Sequence, residues 1–267
     1  PRSDQVPCAK TSDPPNTRND PDATLAWINK RVRELISTYS DQPAREEATL
    51  DPKTYLVIYT TISDYADAKR TDLVGETLYH DLVKAVRAHC KDLRQEILRG
   101  TSETISGDTD ILERLVEERK RFGALAKIIA HLYRYLDRHW VRQQLDQGKG
   151  NVYRILDVQE KIFKHDVIIG ALRAEQGSEE DQVSILDVAT RARENDALAS
   201  KDISNHRQPG LIDEVFGIFD HLGLRIIGTW QPSTSSRLIE PGLMKQVTLP
   251  SGLKITHVHD WGIEPSS

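Results

Sequence analysis

The chain has 267 residues, of which 29% are charged and 38% hydrophobic, and its formal net charge is −5. The charge is spread over 36 basic and 41 acidic residues, so no basic footprint points to nucleic acid. No apolar run approaches the roughly 20 residues of a membrane span. Two cysteines, Cys8 and Cys90, are too few for a disulfide framework or a structural zinc site. We therefore expect no cofactor and a reducing setting, the cytoplasm or nucleus.

Residues 1–21 are rich in Pro, Asp, Asn and Ser, which is typical of a disordered lead-in. Beyond them, apolar residues recur at three- and four-residue steps, which predicts amphipathic helices. Asp51-Pro52 is expected to cap the second of these, with proline at the first helical position. The predicted helices lie near 22–39, 52–70, 73–98, 111–147 (as two helices or one kinked helix), 151–175 and 209–224.

Two stretches differ in composition from this helical pattern. Residues 100–110 are turn-rich, and residues 176–208 are hydrophilic with one apolar island, which predicts a loop-rich insertion with one short helix. In residues 225–267 Gly, Pro, Ser and Thr are frequent, and alternation around Pro250 is typical of a small hairpin. The pattern predicts an all-α chain with a tail of different character.

The second predicted helix carries an aromatic stripe. Tyr55, Tyr59 and Ile62 follow one another at i, i+4 and i+7, so they share a helix face. An apolar stripe at helical spacing usually packs in a core, but tyrosine is also enriched at binding hot spots. The residues alone leave both interpretations open, and they leave Tyr65 undecided.

Four segments carry a resemblance to a known family. The segment at 135–155, YLDRHWVRQQLDQGKGNVYRI, closely resembles the first repeat of cullins, where a tyrosine-leucine-polar-arginine signature leads into a glycine-bearing turn. YLVIYTTISDY at 55–65, VGETLYHDL at 74–82 and LIDEVFGIFDHLGL at 211–224 agree in order. His139 and Trp140 make the F-box branch of cullins the nearest match.

The resemblance implies an elongated helical bundle of cullin-repeat type. Residues 22–175 would form the first repeat and residues 209–224 would begin the second, with a short non-helical or β-hairpin tail. Such a chain is a non-catalytic scaffold of a ubiquitin ligase of the SCF type. It binds a Skp-type adaptor that carries an F-box substrate receptor.

In this family the adaptor lies against the second and fifth helices. Carried over by position, the adaptor-binding residues are Tyr55, Leu56, Tyr59, Ile62, Ser63, Tyr135 and Arg138. Ser63 is smaller than the aromatic residue expected in the F-box branch, so a BTB-type or elongin-type adaptor is the alternative. The cullin C-terminal domain is not evident in the sequence, so no RING-box partner is expected, and a fragment or an adaptor-sequestering decoy is a further interpretation.

Three other groups of residues have weaker functional interpretations. His257, His259 and Asp260 form a His-x-His-Asp cluster that could ligate zinc in a small metal-dependent enzyme, although a solvated tail is favoured. Cys90 with His131 or His139 could be imagined as a nucleophile and base, but nothing in the sequence orients them. Residues 146–150, DQGKG, lack the full phosphate-loop spacing and are interpreted as a helix terminator.

Overall fold

The architecture was obtained from a computed structural model. It describes residues 13–40, 50–69, 72–99, 105–169, 185–199, 210–227, 244–248 and 254–258. The helices are α1 (Pro21–Ser40), α2 (Pro52–Lys69), α3 (Asp72–Leu98), α4 (Ile105–Leu132), α5 (Arg134–Leu136), α6 (Arg142–Asp146), α7 (Ile155–Ile162), α8 (Ile185–Ala199) and α9 (Leu211–His221). Two π-helical turns, Asp137–Val141 and Phe163–Ile169, follow α5 and α7. The all-α class of the helical part is confirmed.

The described strands all follow α9. They are β1 (Leu224–Ile227), β2 (Met244–Thr248) and β3 (Lys254–Val258). β3 lies between the other two and pairs antiparallel with both, in the order β1-β3-β2.

The chain divides into two compact units. The first comprises residues 1–90 and 117–162, and the second comprises residues 91–116 and 163–267. α3 and α4 each contribute one part to the first unit and another part to the second.

The core of the first unit follows the predicted helical stripes. Its fully or nearly fully buried side chains come from α1 to α5 and include Ile28, Val32, Leu35, Leu78, Leu82, Val86, Phe122, Leu125, Ile129, Leu132 and Leu136. Burial of apolar surface is the main term that stabilises such a bundle, at roughly 25 cal/mol per Å² removed from water. Tyr65 is also 7% exposed, so it is a core residue, and burial raises the pKa of its hydroxyl.

Side-chain caps set where the first two helices begin. The Asp20 carboxylate accepts a hydrogen bond from the backbone N–H of Ala23 at 2.9 Å, so α1 starts at Pro21. The Asp51 carboxylate accepts from the backbone N–H of Thr54 at 2.9 Å and from its hydroxyl at 3.0 Å. The predicted Asp51 cap with proline at the first helical position is thereby confirmed.

The glycine-bearing turn ends α6 as a Schellman motif. The N–H of Gly148 bonds the carbonyl of Leu145 at 2.9 Å, and the N–H of Lys149 bonds that of Gln144 at 3.1 Å. Gly148 has φ +74°, a left-handed conformation that glycine adopts without steric cost. The interpretation of this segment as a helix terminator is confirmed.

In the second unit, buried apolar residues come from the carboxyl half of α3 and from the second π turn. The carboxyl half of α3 contributes Leu93 and Ile97, and the second π turn contributes Phe163, which is fully buried. The Arg94 guanidinium donates to the backbone carbonyl of Val167 in that turn, and burial lowers the pKa of Arg94.

Two sequence-based boundaries were wrong, and one helix is longer than expected. α4 already begins at Ile105, within the stretch expected to be turns, and its Asp108 carboxylate accepts from Arg191 of α8 at 3.1 Å. The one short helix expected in the loop-rich insertion corresponds to α8, which is longer than expected at 15 residues, and its apolar island is buried, with Ile185 at 0% exposure. α7 begins at Ile155 rather than at residue 151, and residues 170–175 lie outside the described part.

Candidate functional site

Two helices of the first unit bring half-exposed tyrosines together. On α2, the rings of Tyr55 and Tyr59 stack with centroids 5.8 Å apart and an interplanar angle of 11°. The Tyr55 hydroxyl lies 3.5 Å from the backbone carbonyl of His131, at the end of α4. Tyr135 of α5 donates from its hydroxyl to Asp67 of α2 at 3.3 Å. We call Tyr55, Tyr59, Tyr135 and the exposed Leu56 the tyrosine face.

Leu56 supplies the apolar part of this face. Its side chain is 58% exposed, although leucine is usually buried in a helical bundle. It lies one residue after Tyr55, on the outward side of α2. The buried centre of a protein interface is more apolar than the rest of the surface and is enriched in aromatic residues, so an exposed leucine beside three tyrosines is compatible with such a centre.

Ile62 was wrongly assigned to the exposed stripe. Its side chain is 0% exposed, so it offers no surface to a partner. Ile62 falls four residues after Ile58 and three before Tyr65, and both of these are buried as well. The i, i+4, i+7 spacing therefore describes the core face of α2 at this point, and Ile62 is a packing residue.

Ser63 and Arg138, the remaining residues assigned by resemblance, have different environments. Ser63 is half-buried, and its hydroxyl donates to the backbone carbonyl of Tyr59 at 2.9 Å, so its polar group is already bonded within α2. Arg138 is exposed in the first π turn. The structure thus brings six of the seven assigned residues to the surface formed by α2, α5 and this turn, and excludes Ile62.

The site also contains residues that the sequence-based assignment missed. Asp67 accepts the Tyr135 hydroxyl, and the His139 ring packs on the Tyr135 ring with centroids 4.3 Å apart. The four-residue step from Tyr135 to His139 was a usable signal, because such pairs are neighbours on a helix. Asp67 had no such signal, since it meets Tyr135 across 68 residues of chain.

The fifth-helix segment is fixed in place by contacts with α3 and α7. Trp140 packs against Gly75, and its ring centroid lies 5.4 Å from that of Tyr79. The Tyr79 hydroxyl accepts the backbone N–H of Tyr153 at 3.0 Å, and burial raises the pKa of Tyr79 to about 12. The Asp137 carboxylate accepts the N–H of Ile155 at 3.0 Å, where α7 begins.

The rival sites have no geometric support in the described residues. Cys90 is fully buried, whereas His131 and His139 are exposed. Within the described ranges, no three His, Cys, Asp or Glu side chains gather closely enough to hold a metal ion. His259 and Asp260 lie outside those ranges, and of His257 only the backbone, in β3, is described. None of the described helices is long and apolar enough to cross a bilayer.

Comparison with known families gives a direct answer on ancestry. A family model described as the cullin alpha solenoid domain matches residues 46–224, about two thirds of the chain. The chain belongs to the cullin family. The matched range includes the whole tyrosine face, from α2 to the π turn of this cullin.

Individual relatives agree with the family match. The cullin is 23% identical to Cullin-1 of Caenorhabditis elegans over an alignment of 169 residues that covers 55% of this chain and 20% of the worm protein. It is 23% identical to Cell division control protein 53 of Saccharomyces cerevisiae over 155 residues, covering 51% and 18%. It is 31% identical to Cullin-1 of Schizosaccharomyces pombe over 100 residues, covering 33% and 12%. The chain therefore matches a fifth or less of each of these relatives.

Proposed function

We propose that this cullin chain is the adaptor-binding part of a ubiquitin-ligase scaffold. It docks a Skp-type adaptor, which in turn carries an F-box substrate receptor. The observation that supports the proposal most is the tyrosine face: three half-exposed rings and an exposed leucine, contributed by adjacent helices of one compact unit. The similarity to Cullin-1 proteins of a nematode and a fission yeast supports the same assignment.

The chemistry of the tyrosine face suits protein docking. Tyrosine offers a large rigid surface with little conformational entropy to lose, and its hydroxyl tolerates partial exposure. The ring stack and the bond to Asp67 hold these side chains in one geometry before any partner arrives. Such preorganisation lowers the entropy cost of association. Each ring, if it acts as a hot spot, contributes about 2 kcal/mol to binding.

The test replaces Tyr59 and Tyr135 together by Ala and measures binding of a purified Skp-type adaptor by calorimetry. Two hot spots of about 2 kcal/mol each predict a loss of affinity of roughly a thousandfold. The helical circular-dichroism signal should survive, because both rings are only half-buried. Unchanged affinity in the folded double variant contradicts the proposal.

Two exposed leucines, one in the tyrosine face and one outside it, show whether an effect on binding depends on where the surface is changed. Leu56 on α2 is 58% exposed and Leu73 on α3 is 69% exposed, so either can become Asp without opening a cavity. Leu56→Asp should weaken adaptor binding because it places a charge within the tyrosine face. Leu73→Asp should leave affinity unchanged. Equal effects of the two variants argue that the adaptor binds elsewhere.

The second candidate is a cullin-type scaffold for a BTB-type or elongin-type adaptor. The observation that favours it is Ser63, a small residue whose hydroxyl is bonded to its own helix. Binding measured in parallel against one member of each adaptor class decides between the candidates. Preference for a BTB-type or elongin-type protein over the Skp-type protein would establish the second.

A further inference from the structure

An exposed line of arginines runs beside the tyrosine face. Arg134 lies in α5, Arg138 in the first π turn and Arg142 at the start of α6, and all three are exposed. We call them the arginine row. Arg142 makes an ion pair with Asp146, with Nε and Oδ2 3.9 Å apart. Arg134 and Arg138 make no ion pair with any residue of the described ranges.

The π turn is what aligns this row. At about 100° per residue, eight α-helical steps from Arg134 to Arg142 would rotate the side-chain direction by about 80° beyond full turns. In the turn Asp137–Val141 the N–H of Arg142 bonds the carbonyl of Asp137, an i→i+5 closure. One residue is thereby absorbed, and seven steps leave an offset of only about 20°. Arg134 and Arg142 therefore leave the helix on nearly the same side.

The row contrasts with the rest of the chain. The chain as a whole has a formal charge of −5, and the neighbouring helix α2 presents Asp64 and Asp67 at its exposed side. Seven effective helical steps of about 1.5 Å make the row roughly 10 Å long. About four residues of extended chain span that length. A long polyanion such as a nucleic acid strand would also meet the carboxylates of α2, whereas a short acidic segment would not.

Guanidinium groups fit carboxylates particularly well. Arginine keeps its charge at all physiological pH values and binds a carboxylate through two parallel hydrogen bonds. We propose that the adaptor docked on the tyrosine face carries an acidic segment of about four residues that lies along the arginine row. This inference rests on the proposed function and adds the chemistry of the partner. The row steers the adaptor during association and sets its orientation, while the tyrosine face supplies most of the affinity.

The decisive variant is Arg134→Glu/Arg138→Glu, which reverses the two arginines that have no ion pair among the described residues. Its control is Arg33→Glu, at another exposed arginine, which lies on α1. The association rate with a purified Skp-type adaptor is measured by stopped flow at low and at high salt. The double variant should associate about tenfold more slowly at low salt. The difference should shrink below about twofold near 1 M salt, where the Debye length falls to about 3 Å.

A second measurement does not depend on the adaptor. A short poly-glutamate peptide is titrated into the labelled chain and backbone amide shifts are followed by NMR, with a poly-glutamine peptide of the same length as the control. Shifts at Arg134, Arg138 and their neighbours with the glutamate peptide alone are expected, and they should vanish in the double variant. Equal shifts from both peptides overturn the inference.

The outcomes separate the inference from the proposed function. If the double variant and Arg33→Glu associate at the same rate while Tyr59→Ala/Tyr135→Ala abolishes binding, the inference fails and the proposed function stands. If the tyrosine variant binds normally, the proposed function fails. Glutamate-specific shifts would then assign the row to another acidic protein. Competition by a single-stranded oligonucleotide that exceeds that of poly-glutamate would overturn the acidic-segment assignment.

Discussion

A single methyl group added at Gly75 should disturb the packing that holds the fifth-helix segment and the first π turn in place. A Cβ built at Gly75 meets three atoms of the Trp140 indole at 2.8 Å or less, closer than real Cβ contacts come. The indole is only 9% exposed and is flanked by Tyr79, so it has little room to retreat. Gly75→Ala therefore forces the α3 backbone away from the π turn that carries Arg138.

The expected magnitude follows from two opposing terms. Overpacking a filled site costs roughly 1–3 kcal/mol, and near-burial of the indole favours the upper end. Alanine in a helix is better than glycine by about 1 kcal/mol. The net prediction is a loss of about 2 kcal/mol of unfolding free energy, equivalent to roughly 4–8 °C in Tm for a chain of this size.

Urea and thermal unfolding, followed by far-ultraviolet circular dichroism, measure this loss. Gly123→Ala is the matched control, because a Cβ at that position of α4 meets nothing within 4 Å, and it should stabilise by up to about 1 kcal/mol. In a Trp140→Leu background, Gly75→Ala should become neutral or stabilising because the ring is gone. Stabilisation by Gly75→Ala in the wild-type background, equal to that at Gly123, would refute the packing argument.

Three further predictions concern a cap, a turn and a buried tyrosine. Asp51→Ala should lower the unfolding midpoint, and Asp51→Asn should largely restore it. Because hydrogen bonds lower the pKa of Asp51, the stability that its carboxylate contributes is present above the ordinary pKa near 3.8 and is lost as the pH falls through the lowered pKa. Unfolding curves of the wild type and the variants at pH 7 and pH 2 measure this loss. Gly148→Ala should cost about 1 kcal/mol because of the positive φ, whereas Gly150→Ala should be neutral in the same urea titration. Since burial raises the pKa of Tyr79 to about 12, the stability that its neutral hydroxyl contributes is complete below pH 10 and is lost towards pH 12. Tyr79→Phe also removes the acceptor for the N–H of Tyr153, and in this variant the loss of stability at alkaline pH should be smaller.

Helical periodicity was sufficient to predict most of the core. Leu78, Leu82 and Val86 of α3 recur at four-residue steps and are all 2% exposed or less. Such stripes reflect a local rule, because one face of a helix must leave water wherever the helix packs. The capping aspartate of α2 is equally local, since Asp51 bonds a group three residues away.

Features that depend on distant contacts were not predictable from the sequence. The helix at Ile185 was predicted only as one short helix in a loop-rich insertion, because polar residues dominate its composition, whereas its few apolar residues pack completely. On α2, periodicity alone could not distinguish the core position of Ile62 from the half-exposed Tyr59, which lies three residues before it. The distinction depends on which neighbouring helix covers each residue, and that is a tertiary property.

The π turn at Asp137–Val141 bears on how this family can vary in length. An α-helix that loses one residue rotates everything beyond the deletion by about 100°, which turns much of its buried stripe away from the core. Because this turn already holds one residue in surplus, deletion of His139 should restore regular i→i+4 bonding and leave both flanks in phase. We expect that deletion to be better tolerated in thermal unfolding than deletion of Lys127 in α4. Relatives that are one residue shorter here can therefore keep the same orientation of the segments on either side, whereas equal shortening of α4 would be selected against.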